Sequence, residues 1–297
     1  DFLRETRMRK GYTQEEVSYG ICTPASLSRI ENGAQKPGRL ILEKLFERLG
    51  TENNLFNSFV SKEEMELYSE IQTLIRDITD EDVVKIEKQI DVVEKLAVNT
   101  TELEHQCLYF AKGELARQKE KDDKKAMEMY MKAIHITLPD FDGKNPLRNN
   151  LLTFDEIMII NAIAILHAKA DDIMTAVQLG MWLKKYMEEK IVDGTMKIAK
   201  YPMILYNLSN WLGRENCHKE ALKMADLGIR FCIRYGNLAF FPILVFNKGG
   251  ALAELGKIDQ AKKYLHQSVT IFEAMDRPDL IQVATDWCKL HYRIDIQ

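Results

Sequence analysis

Proline, glycine and cysteine are scarce in this sequence. Seven prolines and 15 glycines are spread over 297 residues, which leaves few positions that interrupt a helix. Hydrophobic residues make up 46% of the chain, enough for a globular core, and Leu, Ala, Glu, Lys and Met are abundant helix formers. The five cysteines form no C-x-x-C pair, which argues against a disulfide framework or a cysteine zinc site. We therefore predict an all-α protein of the reducing cytoplasm.

No apolar stretch is long enough to cross a bilayer. The two longest, residues 157–166 and 238–246, fall well short of the about 20 residues that a membrane helix needs. The sequence also lacks the G-x-x-x-x-G-K-[ST], H-E-x-x-H and G-x-S-x-G motifs of common enzyme sites. The paired carboxylates at 122–123 and 171–172 lie in predicted turns, where we interpret them as helix starts. We expect no enzyme, no metal, no cofactor and no membrane contact.

Charge differs between the start of the chain and the rest. The formal net charge of −4 excludes a uniformly basic protein that coats nucleic acid. The first 60 residues carry nine Lys/Arg and eight Asp/Glu, whereas the remainder carries 32 and 37. This sign suits a DNA-binding head on an acidic body, although the count alone does not establish one.

Turn and cap signals divide the head into short helices. Thr13 and Glu16 form a capping-box pattern at the start of the second helix. Thr23 followed by Pro24 is a start signal for the third helix, because Pro is well suited to the first helical position. Gly33 ends that helix. Short helices with a tight turn between the second and third are typical of a helix-turn-helix.

The body shows a degenerate internal repeat. An alanine recurs near the start of a helix, with small or apolar residues four and seven positions later, at Ala126, Ala176, Ala221 and Ala261. The spacing of 40 to 50 residues exceeds the about 34 of standard tetratricopeptide repeats. Unrelated amphipathic helices with small residues at close crossings would give a similar pattern. We predict a right-handed helical-repeat solenoid of the TPR type.

Three asparagines keep register with these alanines. Asn161, Asn207 and Asn247 each stand 14 or 15 residues before one, and Lys112 holds the equivalent place in the first repeat. A mid-helix asparagine is costly if buried without partners. Each could bond to a neighbouring helix, or together they could line the concave wall of the solenoid and bind the backbone of an extended peptide. The shared register favours the peptide.

We predict two different roles for the aromatic residues. Tyr206 and Phe246 flank the asparagines, and we expect them to select among peptides, because backbone bonds do not read sequence. Trp182, Trp211 and Trp287 are predicted to fill the core.

The head closely resembles the Xre/Cro-type helix-turn-helix family. The resemblance rests on R-x-x-x-G-x-T-Q-x-x-V at residues 7–17, SRIENG at 28–33 and the Lys36-Pro37 pair. It implies a phosphate contact by Gln14, base-facing positions at Thr23, Ala25, Ser26 and Arg29, and backbone contacts by Asn32, Lys36 and Arg39. An arginine at such a position can bond two acceptors on a guanine edge. Pro24 and the short Ser26 depart from the pattern and reduce what the helix can read.

Head and repeats together resemble the PlcR-like branch of the Rap/Rgg/NprR/PlcR/PrgX group. The residues that carry this are Ile21-Cys22 and the NAIA at 161–164, together with the layout of the repeats. The resemblance implies a homodimeric cytoplasmic quorum-sensing transcription regulator that binds a double-stranded DNA operator and a short oligopeptide pheromone. It also implies that the asparagines hold the peptide and that Lys112 meets an acidic group. The alternatives are repeats that sequester a regulator protein, or a DNA-binding repressor without a peptide.

We place the domain boundaries accordingly. Residues 1–60 are predicted to form the helix-turn-helix domain, residues 61–80 a linker helix, and residues 81–297 the peptide-binding repeat domain.

Overall fold

A computed structural model describes residues 2–51, 62–79, 82–97, 102–147, 151–190 and 194–292. Within these ranges every regular element is a helix, and the predicted all-α class is confirmed. None of the described helices is long and apolar enough to pass through a bilayer. By its internal packing the chain divides into a first unit, residues 1–166 and 190–193, and a second unit, residues 167–189 and 194–297.

The first unit opens with four short helices: α1 (Phe2–Arg9), α2 (Gln14–Ser18), α3 (Pro24–Glu31) and α4 (Arg39–Arg48). The predicted capping box is present, since Thr13 and Glu16 cap each other at the start of α2. Thr23 caps α3, and Pro24 is its first residue. Gly33 follows α3 with a φ of 71°, a left-handed conformation that glycine adopts at little cost. The predicted helix-turn-helix is therefore formed by α2 and α3.

Longer helices complete the first unit: α5 (Lys62–Thr79), α6 (Val83–Leu96), α7 (Glu102–Leu115), α8 (Asp123–Thr137) and most of α9 (Phe154–Lys169). Helix α5 packs on α6 and α7 on α8, while α4 of the head packs on α5 and α7. One apolar core joins Leu45 and Phe46 of the head to Leu103 and Leu151 of the repeats. The head is therefore packed into the first unit. The domain boundaries predicted at residues 60 and 80 lie outside the described residues.

The second unit is a stack of helix pairs: α10 (Ile173–Glu189), α11 (Gly194–Arg214), α12 (His218–Tyr235), α13 (Phe241–Glu254), α14 (Ile258–Ala274) and α15 (Pro278–Trp287). A π-helical turn, Cys288–Tyr292, continues α15. From α10 to α15 each helix packs on the next, and α11 and α13 also contact each other. This stacking is that of TPR-like repeats, as predicted.

The repeat alanines mark equivalent places in these helices. Ala126, Ala176, Ala221 and Ala261 are the fourth residues of α8, α10, α12 and α14, and all are buried. Glycines mark close crossings: a Cβ on Gly228 would lie 2.8 Å from Leu244, and one on Gly180 would lie 2.9 Å from Leu208. Small residues are needed here because larger ones would push the helices apart.

Some side chains lie where the sequence predicted, but one tryptophan does not. Asp122 accepts a hydrogen bond from the Lys125 N–H at 2.9 Å, as predicted for a helix start. Trp211 is buried and Trp182 is half-buried. Trp287 is 46% exposed, so its assignment to the core was wrong. It lies on α15, where its ring stacks on His291 and lines a groove.

Candidate DNA-binding and ligand-binding sites

Helix α3 presents its polar face outward. Its position is fixed from behind by Leu27, which is fully buried in the core of the head. The predicted base-facing residues Thr23, Ala25 and Arg29 are exposed, and Ser26 is half-buried. The surface that would enter a major groove is thus accessible.

Arg29 is held by two side chains. Its Nη2 donates to Ser26 Oγ at 3.2 Å, and its Nε donates to Gln35 Oε1 at 3.1 Å. Gln35 reaches it because the turn at Gly33 folds the chain back, and the Ala34 N–H donates to the Arg29 carbonyl at 2.8 Å. Sequence reasoning missed Gln35, since only the turn geometry brings it to Arg29.

Gln14 takes part in a hydrogen-bond network behind α3. Its Nε2 donates to Glu31 Oε2 at 2.6 Å, while Arg7 donates to both Glu31 oxygens at 2.6 and 2.9 Å. Burial favours the neutral form of Glu31, but the bonds from Arg7 and Gln14 outweigh it and lower the pKa of the carboxyl. Gln14 therefore also has a structural role in tying α2 to α3.

The remaining predicted DNA contacts differ in their surroundings. Lys36 is exposed, and Asn32 accepts a hydrogen bond from Arg4 at 3.4 Å. The guanidinium of Arg39 lies 4.0 Å from the centre of the Tyr68 ring, a cation–π contact that holds it against α5. Their contact with DNA stays a prediction.

The second unit contains a groove of about 390 Å³. Its walls come from α11, α13 and α15, with the turn before α12 at one end. The apolar lining includes Tyr206, Ile243, Phe246, Phe272, Leu280, Val283, Trp287 and Tyr292, and polar groups come from Ser209, Asn210, Arg214, His218, Asn247 and Glu254. A mostly apolar cleft of this size with a few polar groups is typical of ligand sites, which measure about 300–1,000 Å³.

Three of the predicted peptide-binding residues line this groove together: Tyr206, Phe246 and Asn247. The Asn247 amide donates to Ser209 Oγ at 2.6 Å and to the Tyr206 carbonyl at 3.3 Å. These bonds join α13 to α11, so one of the two interpretations offered for the asparagines, a bond to a neighbouring helix, is realised for the Asn247 amide.

The C-terminal helix supplies groove residues that sequence reasoning missed. The Trp287 indole stacks on the His291 ring with centroids 3.9 Å apart. The Tyr292 hydroxyl lies 2.8 Å from where a Cβ on Gly250 would stand, so the absence of a side chain there admits the phenol. His218, the first residue of α12, also lines the groove, and its Nδ1 is buried with no hydrogen-bond partner among the described residues.

The other predicted peptide contacts lie elsewhere. Asn207 and Asn161 are buried, with 8% and 3% of their surface exposed. Lys112 forms an ion pair with Glu94. Asn161 and Lys112 belong to the first unit and Asn207 to the second. Their role in ligand binding stays a prediction. No group of three His, Cys, Asp or Glu side chains within the described ranges could hold a metal ion.

Comparison with known proteins agrees with the geometry of the head. The helix-turn-helix family matches residues 3–52. An uncharacterised HTH-type transcriptional regulator of Bacillus subtilis (strain 168), YqaF, is 36% identical over 63 residues, which cover 21% of this chain and 83% of that protein.

The whole chain is similar in fold to a solved structure. Bacillus thuringiensis PlcR in complex with the peptide PapR7 and DNA matches with a TM-score of 0.61 and 18% identity, covering 95% of this chain and 97% of that one. The apo form of the same protein matches with a TM-score of 0.60 and 17% identity over 96% and 98% of the two chains.

The fold and the exposed recognition helix define a DNA-binding protein with TPR-like repeats. The chain belongs to the HTH-type transcriptional regulators, and the predicted class, a regulator rather than an enzyme, is confirmed. Its fold is that of PlcR over nearly its full length, so the resemblance read from the sequence is confirmed for the fold.

Proposed function

We propose that this regulator is a peptide-responsive quorum sensor of the cytoplasm. Its helix-turn-helix binds operator DNA, and a short signalling peptide binds the groove of the second unit. The observation that carries the proposal is the groove itself, in which Tyr206, Phe246 and Asn247 form one lining. The PlcR structure of the same fold, which contains a peptide and DNA, supports it.

The groove chemistry favours a peptide over a compact polar ligand. Its aromatic and aliphatic side chains suit apolar side chains of a ligand. Among its polar groups, the unpartnered His218 Nδ1 and the Asn210 amide can bond to backbone groups of a peptide. Arg214 and Glu254 both line it, and Arg214 already donates to the Ala168 carbonyl at 2.9 Å. Apolar contact, rather than charge, is therefore expected to dominate affinity.

On the DNA side, we propose a homodimer whose two heads bind half-sites of one operator. Helix-turn-helix dimers place their recognition helices in successive major grooves, about one helical turn or a multiple of it apart. The exposed face of α3, with Arg29 at its centre, would read each half-site.

The proposal is tested by recovering the ligand. We would purify the chain from its native host and identify any bound peptide by native mass spectrometry. Phe246→Ala removes an aromatic ring from the groove and should lose the peptide. Phe231→Ala is the matched control, because Phe231 is also half-buried in the second unit but packs against Tyr201 and Tyr235. Absence of a bound peptide from the wild type, or its retention by Phe246→Ala, would contradict the proposal.

The recovered peptide then tests the asparagines. Calorimetric titration into Asn207→Ala and Asn247→Ala, the two predicted asparagines of the second unit, should show a loss of about 1–3 kcal/mol for each hydrogen bond removed. Circular dichroism must show that each variant is folded. Normal binding by both would make these asparagines structural while leaving the groove proposal standing.

A further inference from the structure

Charged residues of α4 are buried against the start of α9. Lys44 and Arg48 lie one helical turn apart on α4, and their side chains are 4% and 0% exposed. Their partners, Asp155 and Glu156, lie in the first turn of α9. These four residues, which we call the charged joint, connect the head to the repeats within the first unit.

The Arg48–Glu156 pair is the more deeply buried half of the joint. Arg48 Nη2 lies 2.7 Å from Glu156 Oε1, and neither side chain has any exposed surface. The second terminal nitrogen of the guanidinium, Nη1, donates to the carbonyl of Tyr19 at the end of α2. Arg48 therefore connects three parts of the unit: α4, the helix-turn-helix and α9.

Glu156 is fixed from both sides. Its Oε2 accepts the Thr153 N–H at 2.5 Å, and its own N–H donates to Thr153 Oγ1 at 3.3 Å. This is a capping box at the start of α9. The backbone N–H of Thr153 thus holds Oε2 in place, and Oε1 is left to accept the bond from Arg48. The direction of the Arg48 bond is therefore set by α9.

Lys44 forms the second half of the joint. Its Nζ lies 2.8 Å from Asp155 Oδ2 and 3.1 Å from Glu47 Oε1. Glu47 in turn accepts the backbone N–H of Phe154 at 3.0 Å. Two adjacent turns of α4 are therefore bonded to three successive residues of α9.

The joint leaves the DNA-reading face open. It lies on α4 and at the end of α2, whereas Thr23, Ala25 and Arg29 of α3 remain exposed. A contact that blocked DNA binding would cover those residues. This one instead fixes the helix on which they stand.

We infer that Asp155 and Glu156 are positioning residues for DNA reading: they bind Lys44 and Arg48 and hold the helix-turn-helix in one orientation on the first repeats. The recognition helix then moves only together with the first unit. For a dimer this sets the distance at which two heads can reach two half-sites. That consequence rests on the proposed homodimer, but the fixed orientation does not.

The test uses a variant that the geometry makes specific. In Glu156→Gln the amide NH₂ must face either Arg48 or the Thr153 N–H, both of which are donors. One buried donor is left unpaired, and the head should loosen. Glu128→Gln is the matched control, because it removes the carboxylate of an exposed ion pair with Lys132 on α8 and leaves the joint intact.

Head orientation is measured directly with spin-labelled unnatural amino acids at the exposed positions 15 and 124. The wild type and Glu128→Gln should give a narrow distance distribution, and Glu156→Gln a broad one. If Glu156→Gln does not fold, Asp155→Asn, at the less buried pair, takes its place. A narrow distribution in the folded single variant would overturn the inference.

The preferred distance between the two half-sites gives a second test, measured by DNA binding. On an operator selected by the wild type from random DNA, inserted base pairs between half-sites should weaken binding by the wild type and by Glu128→Gln. Glu156→Gln should tolerate the insertions and bind a single half-site normally. Unchanged spacing preference, or tighter DNA binding by Glu156→Gln, would overturn the inference. A wild type without any spacing preference would instead contradict the proposed dimer, while the distance measurement still decides the joint.

Discussion

Replacing Gly20 with alanine should loosen the head from the repeats. Gly20 has a φ of 68°, and a Cβ added there would lie 2.0 Å from the carbonyl oxygen of Thr137 and 2.6 Å from its carbonyl carbon. These atoms are backbone at the end of α8, so no side chain can rotate away. The two segments must separate if a methyl group is to fit.

The expected loss of stability in Gly20→Ala has two parts. An L-residue in the left-handed region loses about 1–2 kcal/mol. Forcing extra volume into a close-packed contact adds about 1–3 kcal/mol. Gly20→Ala should therefore lower the free energy of unfolding by about 2–5 kcal/mol.

Gly11→Ala is the matched control. Gly11 has a φ of 75° in the same head, but no described atom lies within 4 Å of its added Cβ. Gly11→Ala should therefore lose only the 1–2 kcal/mol, roughly, that the left-handed conformation costs. Any stability gained from a stiffer unfolded chain is the same in both variants. Urea denaturation followed by circular dichroism measures the difference. If Gly20→Ala costs no more than Gly11→Ala, the head does not pack against Thr137 as described.

Three further predictions concern the head. Arg29→Ala should cost about 1–3 kcal/mol of operator binding and relax preference at one base pair; unchanged specificity in gel-shift titrations would mean that another residue reads the base. Lys36→Ala should weaken all DNA sequences alike and reduce the salt slope by about one, which titrations at several salt concentrations would check. Burial raises the pKa of Glu47 to about 7, with Lys44 opposing and Asp155 reinforcing the shift. Because this value exceeds that of the unfolded chain, stability should fall as pH rises through about 7, and Glu47→Gln should remove that dependence in denaturation measured near pH 6 and 8.

Local signals in the sequence were sufficient to predict the head. The cap at Thr13, the Thr23-Pro24 start and the glycine at 33 each act through bonds within a few residues. The repeat alanines could be recognised in the sequence for a similar reason, because each is the fourth residue of its helix. The capping box at Thr153 and Glu156 was also readable from its spacing, although it was missed.

Contacts between distant residues could not be predicted. Arg48 and Glu156 are 108 positions apart, and nothing near either residue indicates its partner. Trp287 was predicted to fill the core, but it lies on α15 and lines the groove. Asn247 lines the groove, but its register in the sequence did not reveal that its amide bonds to Ser209.

We propose that a peptide bound in the second unit controls DNA binding by the head. Operator affinity of the full chain tests this, measured by fluorescence anisotropy with and without the peptide recovered from the host. We expect the peptide to change the affinity of the wild type and of Phe231→Ala, and to have no effect on Phe246→Ala. An operator affinity that the peptide leaves unchanged in the wild type would refute the proposal.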